Sequence, residues 1–197
     1  MHNMKQYYQT NFKAYHKRTF FVDPSLFLNP FVNALSQNAS VLDIGCGSGR
    51  DLLWLKNQGF QVTGFEQSPG LADLARKHAA CEVIEGDFET FDFTTFSFDA
   101  ILASGSLVHL PQNRLSQVLE NIKQALNQNG IFYISLKQGD NFRTDQTQRI
   151  FYLWQESELK ELFSTLNFDI IHISNTESVM NSKEGWLGYV LKCNHLK

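Results

Sequence analysis

Three glycines alternate with other residues directly after Asp43, and this spacing is typical of a turn that binds a nucleotide. Gly45, Gly47 and Gly49 follow a short apolar run and precede a segment with helical periodicity. A strand, a tight turn and a helix in this order place free backbone N–H groups and the positive end of the helix dipole at one point. Glycine accepts positive φ angles and lets a ligand approach the backbone closely. We therefore expect a ligand-binding turn at this position.

The spacing of these glycines differs from that of a dinucleotide-binding turn. The dinucleotide pattern is G-x-G-x-x-G, whereas this chain has G-x-G-x-G, with Arg50 at the position of the third glycine. Arg50 is too large for the close helix–strand packing that glycine permits there. The Asp43 carboxylate would repel a pyrophosphate but suits an amino group or a hydroxyl. The turn therefore favours a ligand other than a dinucleotide.

A second carboxylate, Glu66, follows the next apolar segment, about twenty residues after the first glycine. In a βαβ unit this separation returns an acidic side chain to the glycine turn. A carboxylate accepts two hydrogen bonds from a vicinal diol, and such charge-assisted bonds are strong. Glu66 is therefore expected to bind a ribose.

The segment 43–49, together with Glu66 and the pair Asp87 and Phe88, resembles the motifs of class I S-adenosylmethionine-dependent methyltransferases of the small, stand-alone bacterial type. The resemblance implies S-adenosylmethionine as the methyl donor, S-adenosylhomocysteine as the product and direct displacement at the activated methyl group. It also implies that Asp87 and Phe88 bind the adenine, because a carboxylate accepts from the exocyclic amine and a ring packs on the base. The residues expected to bind the cofactor are Asp43, Gly45, Cys46, Gly47, Gly49, Glu66, Gln67, Asp87, Phe88 and Ser104.

His109 is the candidate catalytic residue, because it follows the fourth apolar segment, where donor and acceptor are expected to meet. Near neutral pH, histidine can take a proton from an acceptor amine, thiol or hydroxyl. The alternative is a histidine that packs or hydrogen-bonds locally. The side chains expected to contact the acceptor are Tyr7, Tyr8, His109, Lys137, Arg143 and Trp154.

Strand and helix patterns alternate along the chain, which predicts an α/β fold. We expect a Rossmann-like, doubly wound sheet of seven strands, mostly parallel with an antiparallel last strand, and helices on both faces. The strands are expected at 41–44, 60–65, 81–86, 98–103, 131–136, 168–174 and 186–192. The helix after Pro111 is expected to include Leu126 and to end at Asn129 and Gly130, and residues 137–148 are expected to form a loop.

The whole chain, 1–197, is expected to form one domain, because its length suits one well-packed core and is short for two. Residues 37–194 are expected to form the Rossmann-like core. Residues 1–36 carry aromatic side chains at helical spacing. We expect this helical extension to cover the cofactor or substrate site.

Composition and charge limit the partners. The net charge is −3 and no basic block occurs, which argues against nucleic acid. The three cysteines are far apart and the six histidines show no metal-ligand spacing, so we expect no metal and a reducing compartment. No signal peptide or membrane-length apolar run occurs, so a cytoplasmic protein without a membrane partner is expected, as a monomer or homodimer.

A small-molecule methyl acceptor is the first hypothesis from these observations. Methylation of RNA or protein is the second, and a non-catalytic module that binds S-adenosylmethionine is the third. A nicotinamide-dependent enzyme is a further alternative, which predicts stabilisation by NAD instead.

Overall fold

The computed structural model describes residues 2–178 and 184–194. Within these ranges, the helices are α1 (His2–Thr19), α2 (Ser25–Val32), α3 (Arg50–Asn57), α4 (Pro69–Ala79), α5 (Gln112–Lys123) and α6 (Glu156–Thr165). The strands are β1 (Ser40–Ile44), β2 (Gln61–Glu66), β3 (Val83–Glu85), β4 (Phe98–Ser104), β5 (Leu126–Gln138), β6 (Phe142–Thr144), β7 (Ile150–Trp154), β8 (Phe168–Glu177) and β9 (Gly185–Cys193).

The main sheet confirms the expected α/β fold. Its first five positions are β3, β2, β1, β4 and β5, all parallel to their neighbours. β9 then pairs antiparallel with β5, and β8 pairs antiparallel with β9. The order reverses between β1 and β4, and this is where doubly wound sheets bind ligands, beyond the carboxyl ends of the strands.

Alternate side chains of the central strands pack against helices on opposite faces of the sheet. Phe132 and Ile134 of β5 belong to the cluster that includes residues of α5 and α6. Tyr133, between them, belongs to a cluster with Leu28 and Phe31 of α2. The period-two alternation of a strand thus gives a core on both faces, as expected for this fold class.

The expected number of seven strands was wrong, because the structure has nine strands among the residues described. The two additional strands form an antiparallel hairpin, in which Arg143 of β6 pairs with Phe151 of β7. β7 also pairs parallel with β5 at Lys137. Residues 137–148, expected as a loop, therefore contain the end of β5 and all of β6. The aromatic and β-branched residues of 150–154 favour a strand, and β5 offers an unpaired edge to it beyond the last rung of β4.

The boundary between α5 and β5 also differs from the expectation. The helix ends at Lys123, and Leu126 already pairs with Phe98 of β4. Asn129 has a φ of 60° and the β4–β5 register shifts between Phe98 and Ala100. The Asn-Gly pair therefore lies within an irregular strand and does not end the helix, because pairing with β4 outweighs the local turn signal.

Candidate functional site

A cavity of about 290 Å³ lies at the carboxyl edge of the sheet, where β1, β2 and β4 end. Its walls come from α1, the glycine turn after β1, the end of β2, the segment after β3 and the segment after β4. Five separate parts of the chain thus meet at the switch point of the sheet. This is the expected position of a ligand site in such a fold.

The glycine turn and the end of β2 are joined through the carboxylate of Glu66. The Gly47 N–H donates to Oε2 at 2.9 Å and the Ser68 N–H donates to Oε1 at 2.8 Å. Burial raises the pKa of Glu66, whereas bonds from the N–H groups of Ser68, Gly47 and Gln67 lower it. A carboxylate has about four acceptor positions. Glu66 is therefore fixed in place and keeps acceptor capacity toward the cavity that it lines.

Two buried polar atoms beside the glycine turn lack a hydrogen-bond partner among the described residues. Asp43 is 2% exposed, and its Oδ2 has no donor. Burial, with the charges of Asp51 and Glu66, raises the pKa of Asp43 well above its usual range. The Ser106 Oγ is also unpartnered, and a Cβ on Gly45 would lie 2.5 Å from the Ser106 Cβ. Unsatisfied buried groups of this kind call for a polar ligand or water.

The far end of the cavity combines a carboxylate and an aromatic ring after β3. The Asp87 Oδ1 accepts the Glu89 N–H at 3.0 Å, which fixes the start of this segment. Phe88 is half-buried and packs against the main core cluster. Both residues line the cavity, so a flat base with an exocyclic amine would find an acceptor and an apolar surface here.

The first helix meets the segment after β4 through Tyr8 and His109. The Tyr8 Oη lies 2.8 Å from the His109 Nε2, and the His109 Nδ1 lies 2.5 Å from the Ile150 carbonyl oxygen. A carbonyl only accepts, so Nδ1 carries the proton and Nε2 accepts the Tyr8 hydroxyl. Burial lowers the pKa of His109 to about 4. His109 is therefore neutral near pH 7, and it can act as a base only after Tyr8 moves.

Arg149 adds a second connection between α1 and the hairpin. It forms an ion pair with Asp145 at 2.6 Å and is 8% exposed. Its guanidinium lies 4.8 Å from the centroid of the Tyr7 ring, and it also hydrogen-bonds Tyr8. These contacts hold the start of α1 over the cavity.

The buried, neutral state of His109 gives a testable pH dependence of stability. Its pKa is below the ordinary value of 6.5 in the folded protein, so the unfolded chain takes up the proton first as the pH falls. The free energy of unfolding should therefore fall between pH 6.5 and pH 4, and His109 should account for about 2–3 kcal/mol of that loss. Urea unfolding at pH 7 and pH 4.5 should show a smaller loss for His109→Gln. An equal loss in both proteins would contradict this assignment.

A second cavity of about 200 Å³ adjoins the first and shares Tyr15, Ser104 and Gly105 with it. Tyr15 belongs to α1, and its Cε1 lies 3.4 Å from where a Cβ on Gly47 would be. The Tyr15 ring thus packs over the glycine turn and borders both cavities. A ligand in one cavity and a second molecule in the other would meet at this shared wall.

Comparison with known proteins identifies the domain. Residues 41–130, from β1 into β5, match the family model described as a methyltransferase domain. The fold is similar to the solved structure of the 1,6-didemethyltoxoflavin-N1-methyltransferase of Burkholderia thailandensis, which has S-adenosylhomocysteine bound. The TM-score is 0.77 and the sequence identity is 22%, and the match covers 98% of this chain and 88% of that one. The part of the chain that matches the family model is a methyltransferase domain. The fold of the described chain is that of class I methyltransferases.

Curated relatives share only part of their length with this chain. The sterol 4-C-methyltransferase strm-1 of Caenorhabditis elegans is 30% identical over 107 residues, which are 51% of this chain and 31% of the relative. The carboxy-S-adenosyl-L-methionine synthase of Campylobacter lari is 29% identical over 106 residues, 51% of this chain and 45% of the relative. The chain thus spans less than half the length of either relative.

Most of the residues expected to bind the cofactor meet in the first cavity. Those that line it are Gly45, Gly47, Glu66, Gln67, Asp87, Phe88 and Ser104. Asp43 lies buried before the turn, and Cys46 packs against Gly64 and Leu52. Gly49, with a φ of 85°, packs against the backbone of Ala75 in α4. Asp43, Cys46 and Gly49 therefore do not line the cavity, and they pack around the turn instead.

The residues expected to contact the acceptor are not brought together. Tyr8 and His109 line the first cavity, but the other four line neither cavity described here. Lys137 and Arg143 both bond to Glu184. Trp154 is 7% exposed within the main core, and Tyr7 packs edge-on against Tyr8 and under Arg149.

Several lining residues are not among the site residues expected from the sequence. Tyr15 carries a signal that could have revealed it, because it follows Tyr8 by seven residues and so shares its face of α1. Gly105 and Ser106 lie in the segment 104–109 after the fourth apolar segment, where donor and acceptor are expected to meet, but neither was expected individually to contact the ligand. Lining residues such as Leu71 and Leu110 carry no sequence signal beyond an apolar pattern.

The described part of the chain contains no helix that is long and apolar enough to cross a membrane. Within the same residues, no group of three or more histidine, cysteine, aspartate or glutamate side chains could hold a metal ion.

Proposed function

We propose that this methyltransferase binds S-adenosylmethionine in the first cavity and transfers its methyl group directly to a small molecule. The observation that carries the proposal is the convergence of the glycine turn, Glu66 and Asp87 on one cavity at the switch point of the sheet. The solved structure from Burkholderia thailandensis contains S-adenosylhomocysteine, and so does that of the magnesium protoporphyrin IX methyltransferase of Synechocystis PCC 6803. Both structures support the choice of cofactor.

The residues present fit this cofactor. Glu66 has acceptor capacity for the two ribose hydroxyls, and Asp87 with Phe88 suits an adenine. The unpartnered Asp43 Oδ2 and Ser106 Oγ lie beside the turn that would hold the amino acid portion. When bound, S-adenosylmethionine supplies a methyl group activated by a positively charged sulfur.

The contribution of the chain is to hold donor and acceptor in line and to exclude water. α1 places Tyr8 and Tyr15 over the first cavity, and we propose that residues 1–36 cover the site in this way. Fixing two reactants in the right geometry can contribute roughly 7–11 kcal/mol to catalysis. In the arrangement described here, His109 positions α1 through Tyr8, and its action as a base requires that contact to open.

Two observations support a small-molecule acceptor. The cavity next to the first one measures about 200 Å³, which suits a small molecule. The net charge of −3 does not favour a phosphate backbone. We also propose a cytoplasmic location, because Cys46 and Cys81 carry free thiols and such thiols persist in a reducing compartment.

A turnover assay tests the proposed function. The protein is incubated with S-adenosylmethionine and panels of small phenols and heteroaromatic compounds, total RNA and unfolded proteins, and S-adenosylhomocysteine release is measured. We expect release with members of the small-molecule panel only. Release with RNA or protein instead would contradict the choice of acceptor. Cofactor binding without release on any panel would favour a non-catalytic module, and stabilisation by NAD alone would contradict the cofactor.

A further inference from the structure

The floor of the second cavity is formed by three neighbouring strands, β5, β9 and β8. Ser135 of β5 pairs with Gly188 of β9, which in turn pairs with Ser174 of β8. These three residues therefore lie in one row across the sheet, and all line the cavity. Tyr133, two residues before Ser135, lies on the same face of β5 because side chains alternate along a strand. The floor thus presents hydroxyl groups on a rigid surface.

The hydroxyl groups converge above Gly188. A Cβ on this residue would lie 2.5 Å from the Ser174 Oγ and 3.1 Å from the Tyr133 Oη. Tyr133 also hydrogen-bonds Ser135, and it is 2% exposed. Burial raises the pKa of Tyr133, so its phenol remains protonated and can donate. The Ser174 hydroxyl donates to the Gly188 carbonyl oxygen at 3.4 Å and keeps its acceptor positions. Because Gly188 has no side chain, the space above it is open to a bound atom beside these hydroxyls.

Aromatic rings form the walls beside this floor. Trp186 stands against Gly105, where a Cβ would lie 3.1 Å from the Trp186 Cη2. Gly105 belongs to the wall shared with the first cavity, as does Tyr15. Phe27 of α2 also lines the second cavity. Flat apolar surfaces of this kind favour a flat ring.

The cavity offers no unpaired charge in its interior among the residues described. Arg50 lines it, but its Nε and Nη2 bond to the Asp51 carboxylate at 2.6 and 2.8 Å. Glu177 is the other charged residue of the lining, and it is exposed to solvent. An anion that entered would lose water and would meet only an arginine already paired with Asp51, which is costly.

We propose that the second cavity is the acceptor site and that it selects an uncharged, flat aromatic molecule carrying a hydroxyl or N–H group, which the hydroxyls of Tyr133, Ser135 and Ser174 orient. This inference rests on the proposed function, because the shared wall at Gly105 is where the methyl group would cross. The volume of about 200 Å³ is below the roughly 300–1,000 Å³ of drug-sized sites, so one or two rings fit.

Calorimetry with two matched probes tests the selectivity. 2-Naphthol is flat and uncharged, and 6-hydroxy-2-naphthoate is the same bicyclic phenol with a carboxylate. Each is titrated into the protein with and without S-adenosylhomocysteine. We expect 2-naphthol to bind, and the carboxylate probe to bind at least about tenfold more weakly because its charge finds no partner. Equal or tighter binding of the carboxylate probe, or no binding of 2-naphthol, would overturn the proposal.

Tyr133→Phe and Tyr189→Phe locate the bound probe. Both substitutions remove one buried phenolic oxygen, but Tyr189 of β9 faces the main core and lines neither cavity. We expect Tyr133→Phe to weaken 2-naphthol binding about fivefold, the scale of one lost hydrogen bond, and Tyr189→Phe to leave it unchanged. Equal effects of the two substitutions would overturn the proposal.

The affinity for S-adenosylhomocysteine separates the two proposals. It should be the same in wild type and Tyr133→Phe, because Tyr133 does not line the first cavity. Failure of the wild type to bind S-adenosylhomocysteine would contradict the proposed function. Normal cofactor binding with no selectivity between the probes would contradict only the acceptor assignment.

Discussion

Replacing Glu66 with alanine is expected to weaken S-adenosylhomocysteine binding by about 10- to 150-fold. This range corresponds to the roughly 1.5–3 kcal/mol of a hydrogen bond to a charged group. The carboxylate is 7% exposed, fixed by two backbone N–H groups and open to the cavity on its remaining acceptor positions. Calorimetric titration of wild type and Glu66→Ala measures the effect.

A control lies on the adjacent strand. Glu85 of β3 pairs with Glu66 in the sheet register, but it forms an ion pair with Arg76 and does not line the cavity. Glu85→Ala should bind S-adenosylhomocysteine like the wild type. Glu66→Gln keeps one oxygen that can accept a backbone N–H. Comparing its affinity with that of Glu66→Ala should therefore distinguish the loss of support for the turn from the loss of contact with the ligand. Unchanged affinity in Glu66→Ala would refute the ribose role.

Replacing Gly49 with alanine is expected to lower the free energy of unfolding by about 2–5 kcal/mol. The φ of 85° costs an L-residue about 1–2 kcal/mol. A Cβ would also lie 2.8 Å from the Ala75 Cα, and overpacking of this kind typically costs about 1–3 kcal/mol. The contact is with backbone, so α4 must shift to relieve it. Urea denaturation measures the change.

Gly59→Ala separates the conformational cost of a positive φ from the cost of the close contact with α4. Gly59 has a φ of 91°, but a Cβ there would meet nothing within 4 Å. This variant should lose only the conformational part, about 1–2 kcal/mol. If both variants lose the same stability, the close approach of the turn to α4 contributes nothing and the account of Gly49 fails.

Local motifs predicted several residues that line the first cavity. The glycine turn and Glu66 are separated by one helix, and a βαβ unit returns them to the same edge whatever the rest of the chain does. The structure places Gly47 and Glu66 in direct contact. The same reasoning placed Asp87 after the next strand, where it lines the same cavity.

Contacts between distant parts of the chain were not predictable in this way. Lys137 and Arg143 read as free cations that could contact an acceptor, yet both bond to Glu184, which lies over forty residues away. Leu126 continued a helical period, but its pairing with Phe98 makes it a strand residue. In both cases, the contacts or the secondary structure of the residue depend on a distant partner that the local sequence pattern does not specify.

The second cavity, which we propose as the acceptor site, depends most strongly on tertiary arrangement. Its floor requires β9 to lie between β5 and β8, which places Gly188 between two serines. Sequence alone gives Ser135, Ser174 and Gly188 no common feature. Their meeting follows from strand order and register, which short-range periodicity does not encode.

The central claim is that the first cavity binds an adenosyl amino acid held by Glu66 and Asp87. Isothermal titration of the wild-type protein with S-adenosylhomocysteine, and separately with NAD, tests it most directly. We expect one S-adenosylhomocysteine bound per chain and no heat of binding with NAD. No binding of S-adenosylhomocysteine, with saturable binding of NAD, would contradict it.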